Sequence, residues 1–140
     1  MVGLNSATPS SIISFVLEVE KKLSKRYLEL AKENAEFNKL GDECIRDAEK
    51  LEKIFKETVV ELSLEPIQCF DVDELRREVD SLLSLEDRVS ATLDLISKLE
   101  KLYISFSKAI VSISPEASMQ LRRMAKGKEK QKKLLESFRG

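Results

Sequence analysis

An apolar stripe near the start of the chain predicts a helix with one buried face. Apolar residues recur along it at spacings of mostly three and four: Ile13, Val16, Leu23, Tyr27 and Leu30. This period is typical of a helix packed in a bundle. Glu20 stands at the middle of the stripe. An ionised carboxylate there is unfavourable unless it is paired or binds a metal, so Glu20 is the first residue that needs an explanation.

Helical patterning continues through the chain and predicts an all-α fold. Only three prolines and four glycines occur in 140 residues, of which 35% are charged. We predict helices over about 9–33, 36–62, 85–113 and 115–138, with caps at Thr8-Pro9, Ser84 and Ser114-Pro115. The turn between the first two helices falls near 33–36 or, alternatively, at 38–41.

The connections between these segments predict how the helices are arranged. Short links make two antiparallel hairpins, 9–62 and 85–138, and residues 63–84 form a longer crossover between them. Within it, "DVDELRREVDSL" predicts a short extra helix. A chain of this length suits one domain over 1–140. We therefore expect an antiparallel four-helix bundle with one long crossover.

An internal repeat relates the two hairpins. A shift of 76 residues places "LEVEKKLSKRYLELAK" on "LDLISKLEKLYISFSK", with Tyr27 on Tyr103 and Glu20 on Ile96. A shift of 84 residues relates the second helix to the fourth. This second shift places Cys44 and Asp47 on Lys128 and Gln131.

These patterns resemble the ferritin-like superfamily, especially its rubrerythrin-type members. Those proteins carry Glu-x6-Tyr on helices 1 and 3 and Glu-x-x-His on helices 2 and 4, around two metal ions. Glu20 and Tyr27 match the helix 1 pattern. The segments "LGDECIRDAEKLEKIF" and "MAKGKEKQKKLLESF" lie where the other motifs would be. The resemblance implies a ferritin-like bundle. Combined with the repeat, it implies a buried polar layer composed of Glu20, Tyr27, Cys44, Asp47, Tyr103, Lys128 and Gln131.

The metal ligands that the resemblance implies are largely lost. The second-helix pair becomes Cys44 and Asp47, or Glu43 and Arg46 in the neighbouring register. Ile96 replaces the third-helix glutamate, and the fourth-helix pair becomes Lys128 and Gln131. A di-metal site needs several carboxylates that converge on two cations. We therefore expect no catalytic residue and no cofactor; the alternative is iron or manganese held by Glu20 and Asp47.

Two interpretations of the buried charge at Glu20 remain open. In the first, the Lys128 ammonium stands where a cation would be and pairs with Glu20 and Asp47. Such a network need not add stability, although removing one partner costs about 3–5 kcal/mol. In the second, these polar side chains extend to solvent from imperfect core positions.

Composition narrows the possible functions. Histidine is absent, which removes the commonest general base and nitrogen ligand. The net charge of −1 favours no class of partner. The spacing of Cys44 and Cys69 predicts no disulfide framework, and we expect both to be free thiols in a cytoplasmic protein. The apolar run at 12–17 is too short for a membrane span. Six Asn and Gln beside abundant Lys and Glu are typical of heat-adapted proteins.

The leading hypothesis is a non-enzymatic bundle that serves as a scaffold or protein-interaction module. We expect a homodimer formed through an outer apolar stripe of Ile12, Phe15, Val19 and Ile104. The first alternative is a metal-binding oxidoreductase or metal-storage protein with a divergent carboxylate site. Its ligands would come from Glu18, Glu20, Glu43, Asp47, Asp94 and Glu100.

A third hypothesis rests on the basic C-terminal segment "RRMAKGKEKQKKLLESFRG". It could bind nucleic acid or an anionic surface. No aromatic residues interleave the basic ones as stacking partners, and the whole chain is slightly acidic. We therefore interpret the segment as a solvated face opposite the acidic residues of the crossover.

Overall fold

The computed structural model describes residues 6–7, 9–58, 67–68, 72–84 and 88–139, and these are almost entirely helical. The five helices are α1 (Pro9–Leu30), α2 (Phe37–Thr58), α3 (Val72–Leu83), α4 (Arg88–Ile110) and α5 (Pro115–Arg139). Two short strands, β1 (Ser6–Ala7) and β2 (Ile67–Gln68), pair antiparallel, with Ser6 opposite Gln68. The all-α prediction is confirmed. The strand pair has no signal in the apolar pattern.

The turn between α1 and α2 occupies residues 31–36. Asn34 organises it, because its side-chain oxygen accepts a hydrogen bond from the Glu36 amide and its carbonyl accepts one from the Phe37 amide. The alternative turn at 38–41 is wrong, since Gly41 lies inside α2. The predicted helix ends at 59–62 and 85–87, and Cys69, lie outside the described residues.

Gly41 allows α1 and α2 to approach closely. A Cβ at this position would lie 3.3 Å from Ser24 Oγ and 3.7 Å from Tyr27 Cβ. Beside it, the Tyr27 ring stacks on Phe37, and Phe37 meets Phe138 of α5 edge-on with ring centroids 5.1 Å apart. Small and aromatic residues therefore join α1, α2 and α5 at this end of the molecule.

Helix α3 packs against both α1 and α4. Arg76 and Asp80 of α3 form ion pairs with Glu18 and Lys22 of α1. On the other side, Glu78 pairs with Lys98 of α4. Asp80 and Glu78 of α3 therefore meet bases on α1 and α4, which corrects the expectation that they lie opposite the basic segment of α5.

The packing of α3 also corrects the expected outer stripe. Ile12, Phe15 and Val19 are each 1% exposed or less, and they share one apolar core with residues of α3. Only Ile104 of that stripe is exposed. The error arose because α1 buries two adjoining faces, one against α2 and one against α3.

None of the helices in the described ranges has the length and apolar character to cross a membrane.

The two helical glycines should respond differently to substitution. Gly127→Ala should raise the free energy of unfolding by about 1 kcal/mol, because alanine favours helix and nothing lies within 4 Å of the new Cβ. Gly41→Ala should raise the free energy of unfolding by less, since Ser24 must shift. Gly41→Leu should lower the free energy of unfolding by about 1–3 kcal/mol through overpacking. Urea unfolding measures all three variants. Equal gains for alanine at both sites would contradict the close approach of α1 and α2.

Candidate functional site

Glu20 lies at the middle of α1 and has no exposed surface. Each of its carboxylate oxygens accepts one hydrogen bond. Lys128 Nζ donates to Oε1 at 2.7 Å, and the Tyr103 hydroxyl donates to Oε2 at 2.5 Å. These donors come from α5 and α4. A carboxylate in this position is thus held by a cation and a hydroxyl, both from outside its own helix.

Lys128 faces inward although it belongs to a basic segment. Its neighbours at helical spacing, Met124, Gln131 and Leu135, are buried as well, so Lys128 stands on the inner face of α5. Only 1% of the lysine side chain is exposed. Exposed basic residues lie on the other side of the helix: Arg122, Arg123, Lys126, Lys130 and Lys133. Helical periodicity therefore sends one lysine of this segment to the core and the rest to the surface.

The hydrogen bonds continue from Lys128 to α2 and back to α1. Lys128 Nζ and Gln131 Nε2 lie 3.8 and 3.9 Å from Cys44 Sγ and donate to it. The Tyr27 hydroxyl donates to Gln131 Oε1 at 2.8 Å. Six buried side chains thus form one connected group, the polar layer, which joins α1, α2, α4 and α5: Glu20, Tyr27, Cys44, Tyr103, Lys128 and Gln131.

Asp47 lies at the edge of this layer. Its side chain is half-buried, and it forms no ion pair with Lys128 within 4.0 Å. Burial raises the pKa of the Asp47 carboxyl, and the positive charge of Lys128 opposes that rise. Gln120 binds the backbone carbonyl of Asp47 instead, at 3.2 Å. Asp47 therefore acts on Lys128 only through its charge at a distance.

Opposing effects set the charge of Lys128. Burial lowers the pKa of its ammonium group, while the negative charge of Glu20, the hydrogen bond to Glu20 and the more distant charge of Asp47 raise it. The attractions outweigh burial, so the pKa of Lys128 lies above its ordinary 10.5. Lys128 is consequently a cation at neutral pH. This is the condition under which it can neutralise a buried carboxylate.

The thiol and the two phenols of the layer are neutral at physiological pH. Burial is the largest cause that raises the pKa of Cys44 and the pKa values of Tyr27 and Tyr103. A thiol with a raised pKa carries little thiolate and is a poor nucleophile. Among the described residues, the one buried side-chain polar atom without a hydrogen bond is Gln120 Oε1, outside the layer. The layer therefore contains no activated thiol, and its buried side-chain polar atoms all have hydrogen-bond partners.

The residues present do not fit two metal ions. Glu20 already uses both oxygens, Ile96 is fully buried at the position implied for a second glutamate, and Lys128 places an ammonium against Glu20. The remaining carboxylates do not converge. Glu18 pairs with Lys22 and Arg76, whereas Glu43 and Asp94 are exposed. In the described part of the chain, no three Cys, Asp or Glu side chains are grouped so as to hold a metal.

Sequence reasoning missed Arg26, which is 6% exposed. Its guanidinium donates to the carbonyl of Leu83, to the carbonyl of Arg88 at 3.2 Å and to Thr92 Oγ1 at 3.2 Å. Burial lowers the pKa of Arg26, but the group stays charged. It joins the end of α3 to the start of α4. One signal for its burial was available in the sequence: Arg26 lies at helical spacing from Phe15 and Val19, on the second buried face of α1.

Lys128→Met should lower the free energy of unfolding by about 3–5 kcal/mol, because it leaves Glu20 buried without its cation. Urea unfolding followed by circular dichroism measures the loss. Lys130→Met, on the exposed side of the same helix, is the matched control and should change stability by less than about 0.5 kcal/mol.

The paired variant Glu20→Gln/Lys128→Met tests whether the loss comes from the unpaired charge. Glutamine keeps an acceptor for Tyr103, and neither member of the Glu20–Lys128 ion pair remains. The pair should recover most of the stability that Lys128→Met loses. Equal stability of Lys128→Met and Lys130→Met would contradict the buried ion pair.

The polar layer also predicts how stability depends on alkaline pH. Cys44, the two tyrosines and Lys128 have folded pKa values above their ordinary 9.0, 10.0 and 10.5. The unfolded chain therefore releases these protons first. Their contribution is complete below about pH 9 and is lost as the pH rises through the folded values. Urea unfolding up to about pH 11 should show this fall. In Glu20→Gln/Lys128→Met the fall should be shallower above pH 10.5; an identical profile would contradict the assignment to Lys128.

Comparisons of the chain with protein-family models, with curated proteins and with solved structures find no match. A function must therefore be inferred from the geometry of the polar layer and from the surfaces around it.

Proposed function

We propose that this protein is a non-enzymatic helical scaffold that acts through protein–protein contact, with an ion pair rather than a metal centre inside its bundle. The observation that carries the proposal is the Glu20–Lys128 pair, with Nζ and Oε1 2.7 Å apart. Both side chains are at most 1% exposed. The centre of the molecule therefore carries a structural charge pair that no substrate contacts.

We infer that α1, α2, α4 and α5 form a ferritin-like four-helix bundle, with α3 in the single crossover. The contacts between helices support this arrangement. Glu20 bonds to Tyr103 while Arg26 bonds to Thr92, so α1 and α4 are antiparallel neighbours. Cys44 contacts Lys128, and the later residue Asp47 contacts the earlier Gln120. Hence α2 and α5 are also antiparallel, as expected for one crossover.

The positions of the surface grooves favour binding over catalysis. Grooves of about 590 Å³ and 440 Å³ lie on the outer sides of α3–α4 and α4–α5. Neither groove is lined by a residue of the polar layer. An enzyme site usually brings perturbed titratable groups into a cleft. Here the perturbed groups and the clefts are separate, which supports a scaffold whose contacts are made on its outer faces.

Metal content tests the proposal. The protein should be expressed with added iron, manganese and zinc, purified without a chelating column, and measured by mass spectrometry of the metals. We expect near-zero metal, because the Lys128 ammonium repels a cation at Glu20. One or two equivalents of iron or manganese, lost in Glu20→Gln, would contradict the proposal and support a metal-binding oxidoreductase or metal-storage protein.

Lys128→Glu sharpens the measurement. This change removes the ammonium and adds a carboxylate beside Glu20, so the variant should bind more divalent metal than the parent chain. Lys130→Glu, at an exposed position of the same helix, adds the same charge away from the layer and should not. Equal uptake by the two variants would show that the ammonium does not control metal access.

A further inference from the structure

The outer side of α4 and α5 concentrates the exposed apolar residues. Four large apolar side chains are exposed in the described part of the chain, and three lie here: Ile104 (40%), Val111 (46%) and Met119 (55%). The fourth, Leu28, lies on α1. We define the α4–α5 face by two adjacent stripes at helical spacing, together with Val111 in the turn that follows α4. The stripes are Glu100, Ile104 and Lys108 of α4, and Met119, Arg122, Lys126 and Glu129 of α5. Such a concentration is typical of an interaction surface.

A groove of about 440 Å³ runs along the centre of this face. The buried methyl group of Ala125 and the half-exposed side chain of Ile104 provide apolar surface within it, and charged residues surround them. An apolar centre with a polar rim is the usual anatomy of a protein–protein interface.

The charges on the face are separated along the helix axes. Arg122 Nε donates to Ser107 Oγ at 3.0 Å, which fixes the antiparallel register of α5 on α4. In this register Glu100 and Glu129 share one end of the face, and Lys108 and Arg122 share the other. About 12 Å separates the two ends at 1.5 Å per residue. In the described part of the chain, none of these four residues forms an ion pair within 4.0 Å.

We propose that the α4–α5 face docks on the same face of a second copy of this chain. The two-fold axis would lie across both helices at the level of Ile104. That rotation places the acidic end of one copy on the basic end of the other, and Ile104 on Ile104. An axis parallel to the helices would instead bring acid onto acid. The charge pattern therefore selects one of the two symmetric arrangements.

This inference rests on the proposed scaffold function and names its partner as a second copy. Lys126 lies near the middle of the face, so the two-fold rotation brings it opposite Lys126 of the second copy, with no acidic counterpart. The face consequently carries one more cation than anion. We therefore expect a dimer of moderate affinity that weakens as salt screens the matched ends.

Analytical ultracentrifugation of the full chain tests the inference. The parent protein should show a reversible dimer. Ile104→Asp places two carboxylates together at the axis and should raise the dissociation constant at least about tenfold. Leu28→Asp makes the same exposed change on α1 and should leave the dissociation constant unchanged. Circular dichroism should confirm that both variants stay folded.

Charge reversal tests the proposed orientation. Glu100→Lys/Glu129→Lys makes both ends basic, and Lys108→Glu/Arg122→Glu makes both ends acidic. Each double variant alone should be monomeric at concentrations where the parent chain is a dimer, because like charges face each other. Mixed together, the two variants should form a one-to-one dimer.

A monomeric parent chain would overturn the inference, as would a dimer that persists in Ile104→Asp or a mixture that does not associate. These failures are distinct from failure of the scaffold proposal, which metal content decides. A metal-free monomer would contradict the docking surface but not the scaffold proposal. A metal-loaded dimer that weakens in Ile104→Asp would contradict the scaffold proposal but not the docking surface.

Discussion

The ion pair between Glu20 and Lys128 is the interaction on which the interior of this protein depends. It joins α1 to α5, and Tyr103 and Cys44 extend it to α4 and α2. A buried ion pair need not stabilise a fold more than apolar residues would, yet breaking it is strongly unfavourable. We interpret its effect as specificity: sliding α5 by one residue along α1 would leave two buried charges unpaired. The apolar contacts supply most of the stability, and the charges restrict the register.

The polar layer is closed to solvent, and we propose that the molecule acts through its outer faces instead. The thiol and the two phenols beside the ion pair are protonated and inaccessible. The grooves and the exposed apolar side chains lie on outer faces, chiefly that of α4 and α5. A closed interior and exposed apolar side chains on an outer face support our proposal of a protein that works through binding.

Part of this account could be predicted from sequence because helical periodicity is local. Glu20 was visible as one charge in an apolar stripe, and Lys128 entered the same layer only through the repeat that relates the hairpins. The second buried face of α1 was assigned to the surface, because nothing local shows where α3 packs. Arg26 was missed for the same reason: the carbonyls it binds at Leu83 and Arg88 are distant in sequence. Patterns within one helix could be recognised in the sequence, whereas the contacts made by α3 could not.

The measurement that tests the central claim most directly is nuclear magnetic resonance of the lysine side-chain nitrogens. The account predicts one ammonium resonance at neutral pH whose protons exchange slowly with water, because Lys128 is buried and bonded to Glu20. That resonance should be absent in Lys128→Met and present in Lys130→Met. If every lysine ammonium exchanges as fast as a solvated one, or if the protected resonance survives in Lys128→Met, the buried ion pair is contradicted.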